Sequence, residues 1–597
     1  MPQDSIKAIY EQLRQDYALQ YAAINRKHNN LSISRLLTAL LAITGFYLYF
    51  TRHENYMLGI AIALVLLFIF LMQWHGKTSR RKIHIRTLLQ INEEELAYLG
   101  KGLLPFGDGT DYREDNHAYA NDLDLFGPRS LYQHLNRTAT QMGKGRLASA
   151  LLHLQPAPAI RLNQEAIAAL EQNLQERQEL YARARIAGDN KDIYERLIRW
   201  AAQEEKPVSK PLLLLCYLLP FLLLGSLLLY AVTRADLYWD IATKLFPVNL
   251  FLFFFQLKRI RKAMFGADKV NELLKEYAAI LLQIEQTEYK AVHLKALQEK
   301  LKTAGTRASL QIKKLASIYA GLETVQNPFA AVITNGLYCN HIHVLHRLSR
   351  WKKEHATSIL LWLEVIGEME MLNSLANLRY NNPGFCFPEL NEEYNLSFKA
   401  LGHPLIPASK RVCNDVTFDQ HRFVILTGSN MSGKSTFLRT LGVNMVLAGA
   451  GSAICASGAR IHPLPVFVSM RQSDSLADSE SYFFAEVKRL KYIMEQLDKK
   501  VSFVLLDEIL RGTNSDDKRS GTIGVIEKII RKKAIGAIAT HDLEVCLTTD
   551  AHPGILSNKC FEVEIINDEL VFDYKLRTGI CQNKSATFLM KKMEIIG

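Results

Sequence analysis

Eight residues, Gly428 to Ser435 (GSNMSGKS), have the types and spacing needed to hold a triphosphate. They fit G-x-x-x-x-G-K-[ST]. Glycine lets the backbone fold so that successive N–H groups face one anion. Lys434 places an ammonium at the β/γ oxygens, and the Ser435 hydroxyl suits Mg²⁺. Gly428, Ser429, Asn430, Met431, Ser432, Gly433, Lys434, Ser435 and Thr436 are therefore expected to bind ATP. Downstream, VSFVLLDEI ends an apolar run on Asp507 and Glu508. Asp507 is expected to hold Mg²⁺ together with Ser435, and Glu508 to polarise an attacking water. AIGAIATHD gives a further strand that ends at Thr540 and His541. A lone histidine at a strand end is more often structural, but beside the other two elements His541 is expected to contact the γ-phosphate. The expected catalytic set is Glu508, Lys434 and His541; the expected cofactors are ATP and Mg²⁺.

These groups need strands that end together. RFVILT (Arg422–Thr427) is a short apolar run, and TFLRTLGVNMVLAGAG after the loop reads as a helix. Val501–Leu506 is a continuous apolar run, as in a parallel strand covered on both faces. The pattern predicts an α/β P-loop NTPase domain, a mostly parallel sheet with flanking helices, over 396–597.

At this point the residues resemble the MutS family. GSNMSGKST, DSESYFFAEV, LLDEILRGTNSDD and ATHD follow that family's ATPase order, and RGT after the Asp-Glu pair and S-x-F-x-x-E are more specific than the phosphate loop alone. KALGHPLIP (399–407) and VCND (412–415) resemble the lead-in. Leu123 to Leu152, followed by NQEAIAALEQ, looks like the start of the family's helical core. The likeness covers roughly 117–200 and 365–597. It implies a dimer with composite sites, in which Ser481 reaches the other subunit's γ-phosphate. Without it, Ser481 reads as an ordinary helix N-cap. It also implies double-stranded DNA as a partner. Several positions depart from the family pattern. Ser429 and Ser432 replace a Pro and a Gly, Leu510 and Lys518 replace glycines, and Arg411 or Val412 stands where an aromatic stacks on adenine. The residues before the core do not resemble the family's mismatch-reading domain, so that domain and the DNA clamp are expected to be missing; Phe387–Glu389 (FPE) lies in the wrong place for a wedge.

The rest of the chain is dominated by apolar blocks. Met57–Trp74 and Pro211–Val232 are long enough to cross a bilayer and have no polar face. Leu36–Phe50 and Ile241–Leu257 are weaker partners for them, the second carrying Lys244, which can snorkel. Arg and Lys cluster before the first block, after the second and after the fourth, so the positive-inside rule predicts both termini and 75–210 to be cytoplasmic. The expected organisation is an N-terminal helical arm (1–30), a transmembrane hairpin (31–76), a linker (77–116) and the first part of an all-α core (117–210). A second transmembrane hairpin (211–257) and a helical lever (258–395) lead to the ATPase domain. Leu273, Tyr277, Ile280 and Ile284 mark one apolar face, read as core rather than a DNA-reading element. A net charge of +12 suits nucleic acid, acidic lipid or nucleotide, and equally the cytoplasmic loops of a membrane protein. Eight cysteines without a C-x-x-C pair imply neither a disulfide framework nor a zinc site. His341, His343 and His346 are a weak metal signal.

The expected function is that of an integral membrane ATPase of MutS type coupled to DNA. The alternative is an ATP-regulated membrane scaffold or tether without mismatch recognition. An ABC-type transporter would need an LSGGQ-like signature, which the chain lacks.

Overall fold

The computed structural model describes residues 3–52, 55–204, 207–263, 270–303, 305–470, 482–566 and 569–581. Two long helices open the chain, α1 (Gln3–Arg52) and α2 (Asn55–Lys101). They run antiparallel: Gly45 lies against Ala61, Arg35 over the Phe68 ring, and His28 against His75. The linker expected at 77–116 is helical as far as Lys101 and is a continuation of α2. The reason is visible in its residues. Ile85, Leu88, Ile91 and Glu95 recur at helical spacing, all buried, and α2 packs there on the helix Leu174–Ala187.

A second pair follows, α3 (Lys210–Thr233) and α4 (Asp236–Ala263). By length and composition, α1 to α4 are each able to cross a membrane, and much of their apolar surface faces outward. The helix Val270–Gln286 buries Leu273, Tyr277, Ile280 and Ile284, as a core helix should. Two helices then run in succession, α5 (Pro328–Tyr338) and the 42-residue α6 (Asn340–Asn381). From Trp362 to Leu378 almost every α6 side chain is buried, because helices pack around it on several sides.

Beyond α6 lies a six-stranded sheet. Its strands in chain order are β1 (Phe423–Gly428), β2 (Val466–Ser469), β3 (Phe503–Asp507), β4 (Ile535–Ala539), β5 (Leu556–Ile566) and β6 (Glu569–Thr578). They lie in the order β6-β5-β1-β4-β3-β2, and only β5–β6 is antiparallel. β1, β3 and β4 are fully buried along their length, which explains their unbroken apolar runs. A smaller four-stranded sheet sits beside it. One apolar core runs unbroken from Tyr119 in the helical part to Phe561 in β5, so the two parts are not separately packed bodies.

Candidate nucleotide site

Parallel strands separated by buried crossovers deliver their carboxyl ends to one edge. β1 ends at Gly428, and the helix α7 (Lys434–Gly449) starts at the far side of the loop. Gly433 caps α7 at φ 102°, a conformation that suits glycine, and the Tyr574 ring lies close to where a Cβ would be. The turn leaves the first N–H groups of α7 facing outward, an anion-binding arrangement. Two buried hydroxyls of the loop, Ser429 Oγ and Ser432 Oγ, have no partner among the described residues. Unpaired donors at this point fit an oxyanion. The serines that replace Pro and Gly thus keep the loop able to cradle phosphate.

Lys434 is folded back on its own loop. Its Nζ donates to Gly428 O at 2.8 Å and Ser429 O at 3.1 Å, and lies 3.2 Å from His541 Nε2. Burial pulls its pKa below the ordinary lysine value, against the attraction of Glu508 and Asp507. Asp507 closes β3. Burial raises its pKa, while a hydrogen bond from Ser435 opposes the rise. Its Oδ1 is buried and unpartnered among the described residues. A carboxylate oxygen without a donor, beside a hydroxyl, is a hard-oxygen pair that suits Mg²⁺.

Glu508 is the most constrained residue of the site. Its φ is 47°, in the left-handed region. One carboxylate oxygen lies 2.6 Å from His541 Nε2 and the other 2.9 Å from an Arg511 guanidinium nitrogen. The hydrogen bond to His541 is the main reason its pKa falls to about 2; the Arg511 and Lys434 charges add to the effect and burial opposes it. The structure therefore brings Lys434, Ser435, Asp507, Glu508 and His541 together. Ser481 lies outside the described residues.

Glu486, the last residue of S-x-F-x-x-E, accepts from the backbone N–H of Leu510 at 2.9 Å and of Arg511 at 3.2 Å. It fixes the segment after Glu508. Leu510, at φ 60°, occupies a position that favours glycine. Its side chain drops into the space over Gly521, where any Cβ would collide with it, and is 8% exposed.

A cavity of about 430 Å³ opens beside the loop, bounded by Leu401, His403, Val412, Asn414 and Tyr574. Arg411 does not line it. Its guanidinium is held by the carbonyls of Ile406 and Pro404 and lies over the Phe385 ring, so of the two residues expected in place of the stacking aromatic only Val412 faces the cavity. Phe437, Phe561 and Tyr574 also border the cavity, and Tyr574 comes from β6. Sequence reasoning missed Tyr574 because nothing in the sequence says that β6 turns back past Gly433.

The domain that carries these groups matches a known family. The model for MutS domain V fits residues 424–594. The domain at 424–594 belongs to the MutS family. The human MutS protein homolog 4 is 30% identical over 257 residues, 41% of this chain and 25% of the human protein. The DNA mismatch repair proteins MutS of Chlorobium phaeovibrioides and Ehrlichia chaffeensis are each 34% identical, over 38% and 39% of this chain and 27% and 29% of their own lengths. The chain thus spans little more than a quarter of the curated relatives it matches. Within the MutS domain the site residues lie on β1, β3 and β4 and the loops that follow them, whereas α1 to α6 all precede the matched residues.

Proposed function

We propose that the chain is a membrane-anchored ATPase of MutS type, working as a dimer on ATP and Mg²⁺ and coupling its cycle to DNA. One observation carries this reading: Lys434, Ser435, Asp507, Glu508 and His541 converge at the edge where β1, β3 and β4 end.

The N–H groups of the 428–433 turn and the free Ser429 and Ser432 hydroxyls receive phosphate oxygens. Lys434 exchanges its loop carbonyls for the β/γ oxygens. Mg²⁺ held by Ser435 and Asp507 would offset charge on the same oxygens. Glu508 takes a proton from water as the water oxygen bonds to the γ-phosphorus and the bond to the β/γ bridging oxygen breaks. A carboxylate with a pKa of about 2 is a weak base, so Glu508 must first leave His541. His541 is then free to meet the γ-phosphate. α1 to α4 anchor the machine, with both termini and the sheet domain on the cytoplasmic side.

The alternative, an ATP-regulated tether, draws support from the double hold on Glu508 by His541 and Arg511, which suits retention of nucleotide more than turnover. Phosphate release by the detergent-purified protein, with and without homoduplex and mismatched DNA, separates the two. Turnover lost in Glu508→Gln with nucleotide binding kept, and binding lost in Lys434→Ala, supports the enzyme. Phosphate release unchanged in Glu508→Gln removes it. Affinity for duplex DNA that falls with salt supports the DNA arm, and no binding at low salt ends it.

A further inference from the structure

From Thr324 to Asn340 (TVQNPFAAVITNGLYCN) the chain has no charged residue. In the structure this stretch leaves the core, forms a short turn and α5, and returns to its starting point. The return is closed by a satisfied hydrogen-bond network. Asn335 Nδ2 donates to His341 Nδ1 at 2.7 Å, which leaves His341 Nε2 to donate to Thr324 Oγ1 at 3.0 Å. Asn335 Oδ1 accepts from the His341 backbone N–H at 3.0 Å. Both ring nitrogens of this histidine are thus engaged in closing the loop.

α5 packs on both α3 and α4. Gly336 makes the contact possible, since a Cβ there would overlap the Phe246 ring. Asn249, fully buried on α4, donates to Gly336 O at 2.9 Å. A small residue at a close helix crossing with a polar side chain bridging it is the packing found between helices in lipid. Just beyond, His343 Nε2 lies 3.2 Å from Cys216 O on α3. That carbonyl lacks its helical partner because Pro220, four residues on, has no N–H. α6 supplies the missing donor.

Away from this contact, α5 is apolar and open. Phe329 is 82% exposed, the highest value for a large apolar residue among those described, and Val332, Ile333 and Tyr338 accompany it. The level of α5 follows from its neighbour. Asn249 stands eight residues before Leu257, the cytoplasmic end of the fourth apolar block. At the helical rise this places Gly336 about 12 Å inside that end, in a hydrocarbon layer about 30 Å thick.

We infer that α5 is a membrane-embedded helix that does not span. It enters from the core side, seats on the α3–α4 hairpin near mid-bilayer, turns back at Cys339 and presents Phe329, Val332 and Ile333 to lipid acyl chains. The occupant is lipid because the open face adjoins α3 and α4, which expose Phe221 and Phe255 in the same way. The inference rests on the reading of α3 and α4 as spans.

Photo-crosslinking in lipid nanodiscs tests it with the full-length protein. p-Benzoylphenylalanine replaces Phe329 on α5, Phe255 on α4, or the exposed Leu310 on the core helix Ala308–Glu323. The expected result is lipid adducts at 329 in yield comparable to 255, and none at 310. Adducts at 255 without adducts at 329 overturn the assignment of α5 and leave the spans standing. No adducts at 255 remove the membrane reading itself. Crosslinks from 329 to a second polypeptide, or lipid adducts at 310 equal to those at 329, also overturn it.

Discussion

Glu508 and Leu510 sit in left-handed backbone two residues apart, and each carries a testable consequence. Glu508 is held acidic chiefly by His541. Removing the imidazole in His541→Ala should let its pKa climb toward the ordinary value of about 4.3. A depressed carboxylate pKa stabilises the folded site above the unfolded value and loses that contribution as pH falls toward about 2. The acid limb of kcat/KM, which reports the free enzyme with the His541 contact formed, should therefore move to higher pH in the variant; a pH profile of kcat/KM reads it, and an unmoved limb would mean that His541 does not control this base. For Leu510, two effects compete. Leu510→Gly relieves left-handed strain of about 1–2 kcal/mol but gives up burial of about 2–3 kcal/mol. Burial wins, so the melting temperature should fall. Gly521→Val should fall further, because it evicts Leu510 without relieving the strain. The phosphate loop, Asp507, Glu508 and His541 were legible in the sequence because each stands at a fixed offset from an apolar strand. Arg511, Tyr574 and the retreat of Arg411 were not, since they depend on how distant backbone segments approach the loop.

Among the elements, α6 shows why the helical part resists reading. Its periodicity is blurred because helices cover it on several sides, so no single polar face marks it. The stretch read as a linker is helix for a related reason: its buried residues are matched to Leu174–Ala187, and the sequence of α2 alone does not reveal that partner. α5 escaped notice because it is too short to span. One α6 residue makes the packing measurable. Glu370 accepts from the N–H groups of Ala139 and Thr140 at 2.7 and 3.3 Å and pairs with the Thr140 hydroxyl, tying α6 to the start of the helix Gln141–Leu152. Complete burial pushes its pKa up to about 7, against those hydrogen bonds. A folded pKa above the unfolded one means that the native state holds the proton longer. The stabilisation is present below about 4.3 and is lost as pH rises to about 7. Relative to the wild type, Glu370→Gln should flatten the decline in melting temperature across that window. Parallel curves for the two proteins would mean that Glu370 is ionised throughout it.

Taken whole, the molecule joins both apolar hairpins to one helix. At its start α6 meets α3 and α4 through His343 and through His341 packed on Phe253. Near its end Asn377 and Asn381 donate to Glu95 of α2 at 3.0 Å each, and Tyr10 of α1 donates to Asn381 at 3.0 Å. Arg137 completes this buried cluster on Glu95. Its 42 residues span about 63 Å at the helical rise. A rigid rod fixed at both ends transmits displacement only while its backbone bonds are unbroken, and Thr357 offers an exposed place to break them. Thr357→Pro removes one helical hydrogen bond and costs about 3 kcal/mol locally, far from the site on β1, β3 and β4. A spin label at residue 329 reports the membrane end. With Glu508→Gln to hold ATP, its spectrum should change on nucleotide addition, and adding Thr357→Pro should abolish the change. Thr357→Pro alone should retain ATP turnover. If the label is indifferent to ATP even with α6 intact, the rod carries no signal; if the response survives the proline, the signal travels by another route, and the cluster of Tyr10, Glu95 and Arg137 is the contact left to carry it.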